Sequence, residues 1–280
     1  MISMDRQIGN MHRIVIKIGS SSLTHKYTGF LNLGKVEKLV RILCDLKNQG
    51  MDVVLVSSGA IAVGRQTTGY ANRPGSVAEK QALAAIGQAR LMMTYQKLFA
   101  EYHQNIAQVL LTKDTFLHEE SRNNAANTFE ELFHMGVIPI VNENDTVATH
   151  EIEFGDNDRL SAIVAGLLRA DLLVLLSDID GLYTADPSVD KTAVRIPLVE
   201  KLDAHVASMA SSHSTSQVGT GGMTAKLIAA EIATDAGCAM AIVNGENVDH
   251  ITDVLEGRDV GTWFCPHPQA DYELIKYLNY

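Results

Sequence analysis

The chain has 280 residues, 46 % of them hydrophobic, and a formal net charge of −10 from 33 acidic and 23 basic side chains. That length and apolar content exclude a disordered chain and allow one large α/β domain or two lobes. The acidic balance argues against a nucleic-acid surface, which is normally basic, and no run approaches the roughly 20 apolar residues of a membrane span.

In chain order, short apolar runs at His12–Ile18, Asp52–Val56, Ile106–Leu111, Val137–Val141, Asp171–Leu176 and Ala239–Val243 read as buried parallel strands. Helical patterns alternate with them. Asn32 is placed to cap a helix running to Asn48, with Gly50 as its stop. Ser76 with Glu79 forms a capping box ahead of a long Ala-rich helix, whose Leu91-Met92-Met93 reads as core. Glu119–Met135, Asp158–Leu168 and Thr224–Ala236 follow, the last ending at Gly237. Glu151–Phe154 reads as a hairpin arm, Ser208–Gly222 as a mobile loop, and Gly261–Tyr277 as an antiparallel edge hairpin with Trp263 and Phe264 packed at the sheet edge. Alternating strands and helices imply βαβ units and a mostly parallel sheet covered on both faces, with ligands at the C-terminal ends of the strands. Met1 to Met11 hold no apolar signal core. Cys44, Cys238 and Cys265 show no metal spacing, and the first two read as buried thiols, so a cytosolic protein is expected.

Polar clusters fall at those strand ends and at two helix starts, those of Asp158 and Lys226. Lys17 sits in Ile14-Val15-Ile16-Lys17-Ile18 just before Gly19, Ser20 and Ser21; such a lysine is costly to bury without an anionic partner. Ser57-Ser58-Gly59-Ala60 lies between a strand and a helix, where backbone N–H groups bind carboxylates or phosphates. Asn142-Glu143-Asn144-Asp145 directly follows an apolar strand and suits ligand contacts, with Asp145 able to pair with an ammonium group. Two readings of Asp158, in Gly155-Asp156-Asn157-Asp158, stand together: a helix-terminal charge, or a carboxylate that holds two lysines in their charged form. Ser177-Asp178 opens a segment on which a nucleotide's base and ribose can lie. Gly219-Thr220-Gly221-Gly222-Met223 precedes Lys226, allowing close approach of backbone to a polyphosphate. Two lysines, several anion-cradling turns and a central carboxylate point to phosphoryl transfer. The histidines form no convincing metal set.

Taken together and in order, Val15-Ile16-Lys17-Ile18-Gly19-Ser20, Val56-Ser57-Ser58-Gly59-Ala60-Ile61, Asn142-Glu143-Asn144-Asp145, Gly155-Asp156-Asn157-Asp158, Gly181-Leu182-Tyr183-Thr184-Ala185-Asp186-Pro187 and Gly219-Thr220-Gly221-Gly222-Met223-Thr224-Ala225-Lys226 resemble the amino acid kinase family, and most closely its glutamate kinase branch. The resemblance implies a three-layer αβα sandwich around a mostly parallel eight-stranded sheet. It implies transfer of the ATP γ-phosphoryl group to the side-chain carboxylate of L-glutamate. One kinase domain over residues 1–280 is expected, with a glutamate-binding lobe at about 12–168, an ATP-binding lobe at about 169–280, and no PUA domain. By the same resemblance Ser58, Gly59, Ala60, Asn142, Asp145 and Asn157 contact glutamate. Lys17 and Lys226 stabilise the transferring phosphoryl, and Asp158 organises them. Gly19, Ser20, Ser177, Asp178, Thr220, Gly221, Gly222 and Met223, with the two lysines, hold ATP. Mg2+ is expected to arrive on ATP with no protein metal site. The resemblance also implies a homo-oligomer, dimer or tetramer, with proline as feedback inhibitor and no role for nucleic acid or membrane. Two other readings remain: an aspartate, acetylglutamate or carbamate kinase, or a non-catalytic nucleotide-binding regulator.

Overall fold

In the computed structural model, which describes residues 11–70, 72, 74–148, 156–203, 206 and 222–279, the first apolar run forms β1 (Arg13–Ile18). A one-turn helix α1 (Ser20–Leu23) follows, then α2 (Leu33–Asn48), β2 (Asp52–Ser57), α3 (Ala60–Thr68), α4 (Val77–Glu101) and β3 (Ile106–Leu111). Next come α5 (Lys113–Leu117), α6 (Glu119–His134), β4 (Ile138–Glu143), α7 (Asn157–Leu167) and β5 (Leu172–Ser177). The chain continues through β6 (Leu198–Val199), α8 (Met223–Asp235), β7 (Ala239–Asn244), α9 (His250–Leu255) and β8 (Thr262–Phe264) to a 3-10 helix at Leu274–Asn279. The expected caps form: the Asn32 side chain accepts from Lys35 N–H, and Ser76 and Glu79 close a reciprocal box at the start of α4. Cys44 and Cys238 are buried, as their apolar contexts suggested.

The eight strands make one sheet in the order β3-β4-β2-β1-β5-β7-β8-β6, parallel except where β8 runs antiparallel to β7. Successive strand residues point to opposite faces, and this alternation sorts the core. Ile14, Ile16 and Ile18 of β1 join a layer with α2, α4 and α9, whereas Val15 joins the layer built on α6, α7 and α8. Lys17 has the parity of Val15. Its side chain therefore leaves the sheet on the α7–α8 side. The chain runs from β1 outward to β2 on one side and returns to place β5 on the other, so β1 marks the switch point where open α/β sheets bind ligands.

Two expectations need correction. The tail is not an edge hairpin: β8 lies inside the sheet, with Trp263 and Phe264 buried, and β6 is the edge strand. The outer edge of β8 is already taken by β6, and beyond β8 the tail instead buries Tyr277 and Leu278 against the α7–α8 layer. Within Leu91-Met92-Met93 only Leu91 is core; Met93 faces solvent, because three consecutive residues span too wide an arc of a helix to share one face. The expected arm Glu151–Phe154 and the segment from Ser208 to Gly221 lie outside the described residues.

Helices α3 and α4 cross at glycines. A Cβ on Gly87 would sit 1.7 Å from the Ala60 carbonyl oxygen, and one on Gly64 would sit 1.9 Å from that of Leu83. These contacts are with backbone, so no side chain can swing aside to relieve them. Gly87→Ala is expected to lower unfolding free energy by about 3 kcal/mol, read as an earlier urea midpoint; an unchanged midpoint would show that the helices separate freely.

Candidate active site

A cavity of about 1320 Å³ opens at the C-terminal ends of β1, β2, β4 and β5. It exceeds the roughly 300–1,000 Å³ of one small-molecule pocket and is large enough for two ligands. Every described residue among those expected at a site lines it: Lys17, Gly19 and Ser20; Ser58, Gly59 and Ala60; Asn142 and Asp145; Asn157 and Asp158; Ser177 and Asp178; Gly222, Met223 and Lys226. Thr220 and Gly221 lie outside the described residues.

The centre of the cavity is one shared carboxylate. Asp158, on the first turn of α7, is 1 % exposed. Its Oδ2 accepts from Lys226 Nζ at 3.0 Å, and its Oδ1 contacts Lys17 Nζ. Lys17 comes from the central strand and Lys226 from the first turns of α8, so three elements meet at this group. Burial works against ionising Asp158, but the charges of Lys17 and Lys226, with their hydrogen bonds, outweigh it and hold its pKa below the ordinary carboxylate range. Asp156 caps α7 by accepting from Asp158 N–H at 2.7 Å. Its own pKa is raised, first by burial and then by the Asp158 charge. Its Oδ2 is buried and has no hydrogen-bond partner among the described residues.

Toward one end of the cavity the strand-end amides interlock. Asn157 Nδ2 donates to Ser58 Oγ at 2.7 Å and to Asn142 Oδ1 at 2.9 Å. Gly59, with φ of +106°, turns the chain from β2 into α3 in a backbone conformation that favours glycine. Ser57 and Asn142 have the parity of residues facing α4, and there Tyr95 and Gln88 meet them: Tyr95 Oη lies 2.9 Å from Ser57 Oγ, and Gln88 Oε1 accepts from Asn142 Nδ2 at 3.1 Å. At the other end Ser177 Oγ donates to Asp178 at 3.0 Å, and the start of α8 at Gly222 and Met223 faces the cavity.

Sequence reasoning did not select Gln88, Tyr95 or Asp156 as site residues. Gln88 and Tyr95 lie in an apolar helix with no local motif, and only contact with the strand ends distinguishes them. Asp156 lay in a quoted motif, and its N-cap position was its signal. Arg65 and Lys80 also line the cavity and were not anticipated. Among the described residues no group of three or more His, Cys, Asp or Glu side chains is arranged to hold a metal ion, and no helix is long and apolar enough to cross a membrane.

The sequence profile of the amino acid kinase family matches residues 12–244. A glutamate 5-kinase of Clostridium acetobutylicum is 49 % identical over 95 % of this chain and 99 % of its own length. One of Clostridium tetani is 51 % identical over 91 % and 95 %. Among solved structures, the isopentenyl phosphate kinase of T. acidophilum superposes with a TM-score of 0.62 at 16 % identity, covering 91 % of this chain and 100 % of that one; this likeness concerns the fold alone.

The two neighbouring carboxylates have opposite linkage. Asp158, with its lowered pKa, contributes stability that is present above its unfolded pKa of about 3.9 and lost as pH falls through the folded value. Asp156, with its raised pKa, loses stability as pH rises through its folded value. Asp158→Asn is therefore expected to cost about 3–5 kcal/mol at pH 7, because two buried lysines lose their counter-charge, with the gap closing below about pH 4. Asp156→Asn keeps a capping side chain and should gain in relative stability from acid to neutral pH. Urea titrations at several pH values check both, and parallel pH profiles for the two variants would overturn the assignment.

Proposed function

The chain belongs to the amino acid kinase family, and we propose that it catalyses ATP-dependent phosphorylation of the side-chain carboxylate of L-glutamate to L-glutamyl 5-phosphate, the first step of proline biosynthesis. The observation that carries the chemistry is the pair of buried lysines, from β1 and α8, gathered on Asp158 in a two-ligand cavity. The substrate identity is supported by the similarity to glutamate 5-kinases along nearly the whole chain.

Phosphoryl transfer requires in-line placement and neutralisation of charge on the transferring oxygens more than it requires covalent help. The acceptor is a carboxylate, ionised near pH 7, so no general base is needed. Lys17 and Lys226 supply positive charge on two sides of the reacting phosphoryl, and Asp158 keeps both in the ammonium form and at fixed separation. The N-terminus of α8 at Gly222 directs backbone N–H groups and the positive end of its dipole toward the polyphosphate. Mg2+ arriving on ATP would add charge neutralisation at the phosphates. It would need only one or two protein carboxylates beside phosphate and water, and the Oδ2 of Asp156, which has no hydrogen-bond partner among the described residues, would fit that need. In this reading Ser58, Gly59, Ala60, Asn142, Asp145 and Asn157 hold glutamate in the N-terminal lobe. Ser177, Asp178, Thr220, Gly221, Gly222 and Met223 hold ATP in the C-terminal lobe. Assembly into a homo-oligomer and inhibition by proline belong to the same reading.

The test is ADP release from Mg-ATP with hydroxylamine present to trap an acyl phosphate. L-Glutamate is expected to give ADP and γ-glutamyl hydroxamate, while L-aspartate, N-acetyl-L-glutamate and carbamate give far less. Lys226→Ala and Lys17→Ala should each lower kcat by about a hundredfold or more. Turnover of another acid in place of glutamate would overturn the substrate; ATP binding without turnover of any would overturn catalysis. Proline should inhibit, and rising glutamate should relieve it; inhibition that no glutamate concentration relieves would remove the shared site.

A further inference from the structure

We propose that Gln88, a residue of α4 outside the substrate cavity, sets the hydrogen-bond polarity of the acceptor pocket and is a positioning residue for the amino acid substrate; this rests on the glutamate reading above. Gln88 is buried and borders a separate cavity of about 280 Å³ behind the strand ends. It reaches the main cavity only through other side chains. Gln88 Oε1 accepts from Asn142 Nδ2 at 3.1 Å, Asn142 Oδ1 accepts from Asn157 Nδ2 at 2.9 Å, and Asn157 Nδ2 also donates to Ser58 Oγ at 2.7 Å.

Each link constrains the next. With Gln88 accepting, the Asn142 amide turns its oxygen toward Asn157. Asn157 then spends both of its N–H donors, one on Asn142 and one on Ser58. What it has left for the cavity is its carbonyl oxygen, an acceptor. Ser58 Oγ is occupied as an acceptor, so its proton remains to be donated, and no described residue takes it. The pocket thus offers a hydroxyl donor suited to a carboxylate. It also offers an amide oxygen, with the Asp145 carboxylate in the same cavity, suited to an ammonium group. A zwitterionic amino acid needs both.

The same heavy-atom positions admit one other self-consistent arrangement. If Gln88 donated, Asn142 would donate to Asn157 Oδ1, and Ser58 would donate to that oxygen as well. Asn157 would then present its NH2 to the cavity, and Ser58 would have no proton for the substrate. The two polarities place opposite partners before the substrate, and which of them forms depends on whether residue 88 accepts from Asn142, as it does here, or donates to it.

Two substitutions separate this role from simple packing. Gln88→Glu keeps an acceptor and cannot donate when ionised, so it enforces the observed polarity. Gln88→Met keeps the volume and removes the acceptor. With the hydroxamate assay, the Glu variant is expected to hold KM for L-glutamate within about threefold of the parent, and the Met variant to raise it about tenfold or more, the effect of a mis-set hydrogen bond to a charged group. KM for ATP should be unchanged in both. Equal KM for glutamate in the two variants, whether parental or raised, would overturn the proposal, as would a Met variant whose KM for ATP rises in step. Thermal midpoints verify folding, and Gln88→Ala takes the place of the Met variant should that one not fold. If the parent turns over a different acid, the substrate assignment falls, and the same comparison run on that acid still decides the role of Gln88.

Discussion

Everything in the active cavity depends on one carboxylate shared by two lysines. Three charged groups are withdrawn from water where β1, α7 and α8 meet. Removing an ion from water costs several kcal/mol even after the protein relaxes, and attraction between buried ions often does no more than offset that cost. Such a group is therefore poorly explained as a source of stability. It is better explained as alignment: Asp158 ties a strand from one half of the sheet to a helix from the other, and it places two cations at a defined separation. The position is supported locally. Asp158 sits at the positive end of α7, and Asp156 holds its backbone N–H. Lys17 and Lys226 favour ionisation of both carboxylates; they prevail at Asp158, whereas at Asp156 burial and the neighbouring Asp158 charge outweigh them.

The second constraint is the close crossing of α3 and α4. Bare backbone at Gly64 and Gly87 lets the long helix lie against the short one that begins at Gly59. That approach brings α4 within hydrogen-bonding distance of the strand ends, where Tyr95 meets Ser57 and Gln88 meets Asn142. A larger separation would leave these polar groups buried without partners, each at a cost of about 1–3 kcal/mol. The Ser58–Asn142 end of the cavity is thus held from behind by a helix whose surface sequence looks unremarkable, while the start of α8 lines the other end. The two ends rest on opposite faces of the sheet, and β1, at the switch point, carries Lys17 between them.

Much of this was legible from residues alone. The parallel strands, the caps at Asn32 and Ser76, and the polar clusters at the strand ends follow from local rules: apolar runs bury, short polar side chains cap helices, and glycine admits left-handed turns. Met93 was misplaced because a run of three helical residues cannot share one face, Trp263 and Phe264 for a different reason. Periodicity tells which face a residue takes within its own element, but not whether another strand or helix covers that face. Leu198–Val199, too short to carry a pattern, became the edge strand that places β8 inside the sheet.

The sequence by itself determined the order of the main strands and helices, the strand-end placement of Lys17, Ser58 and Asn142, the helix-start placement of Asp158, and the alternation that sets Lys17 on the same face as Val15, because each of these depends on neighbours a few residues away along the chain. Only the tertiary structure decided that Lys17 and Lys226 share the two oxygens of Asp158, and that Gln88 and Tyr95 stand behind the pocket. Those contacts join residues separated by 68, 54 and 38 positions or more, and their existence depends on how closely helices pack across a sheet, a distance set by backbone contacts at glycines and by core volume rather than by any local pattern.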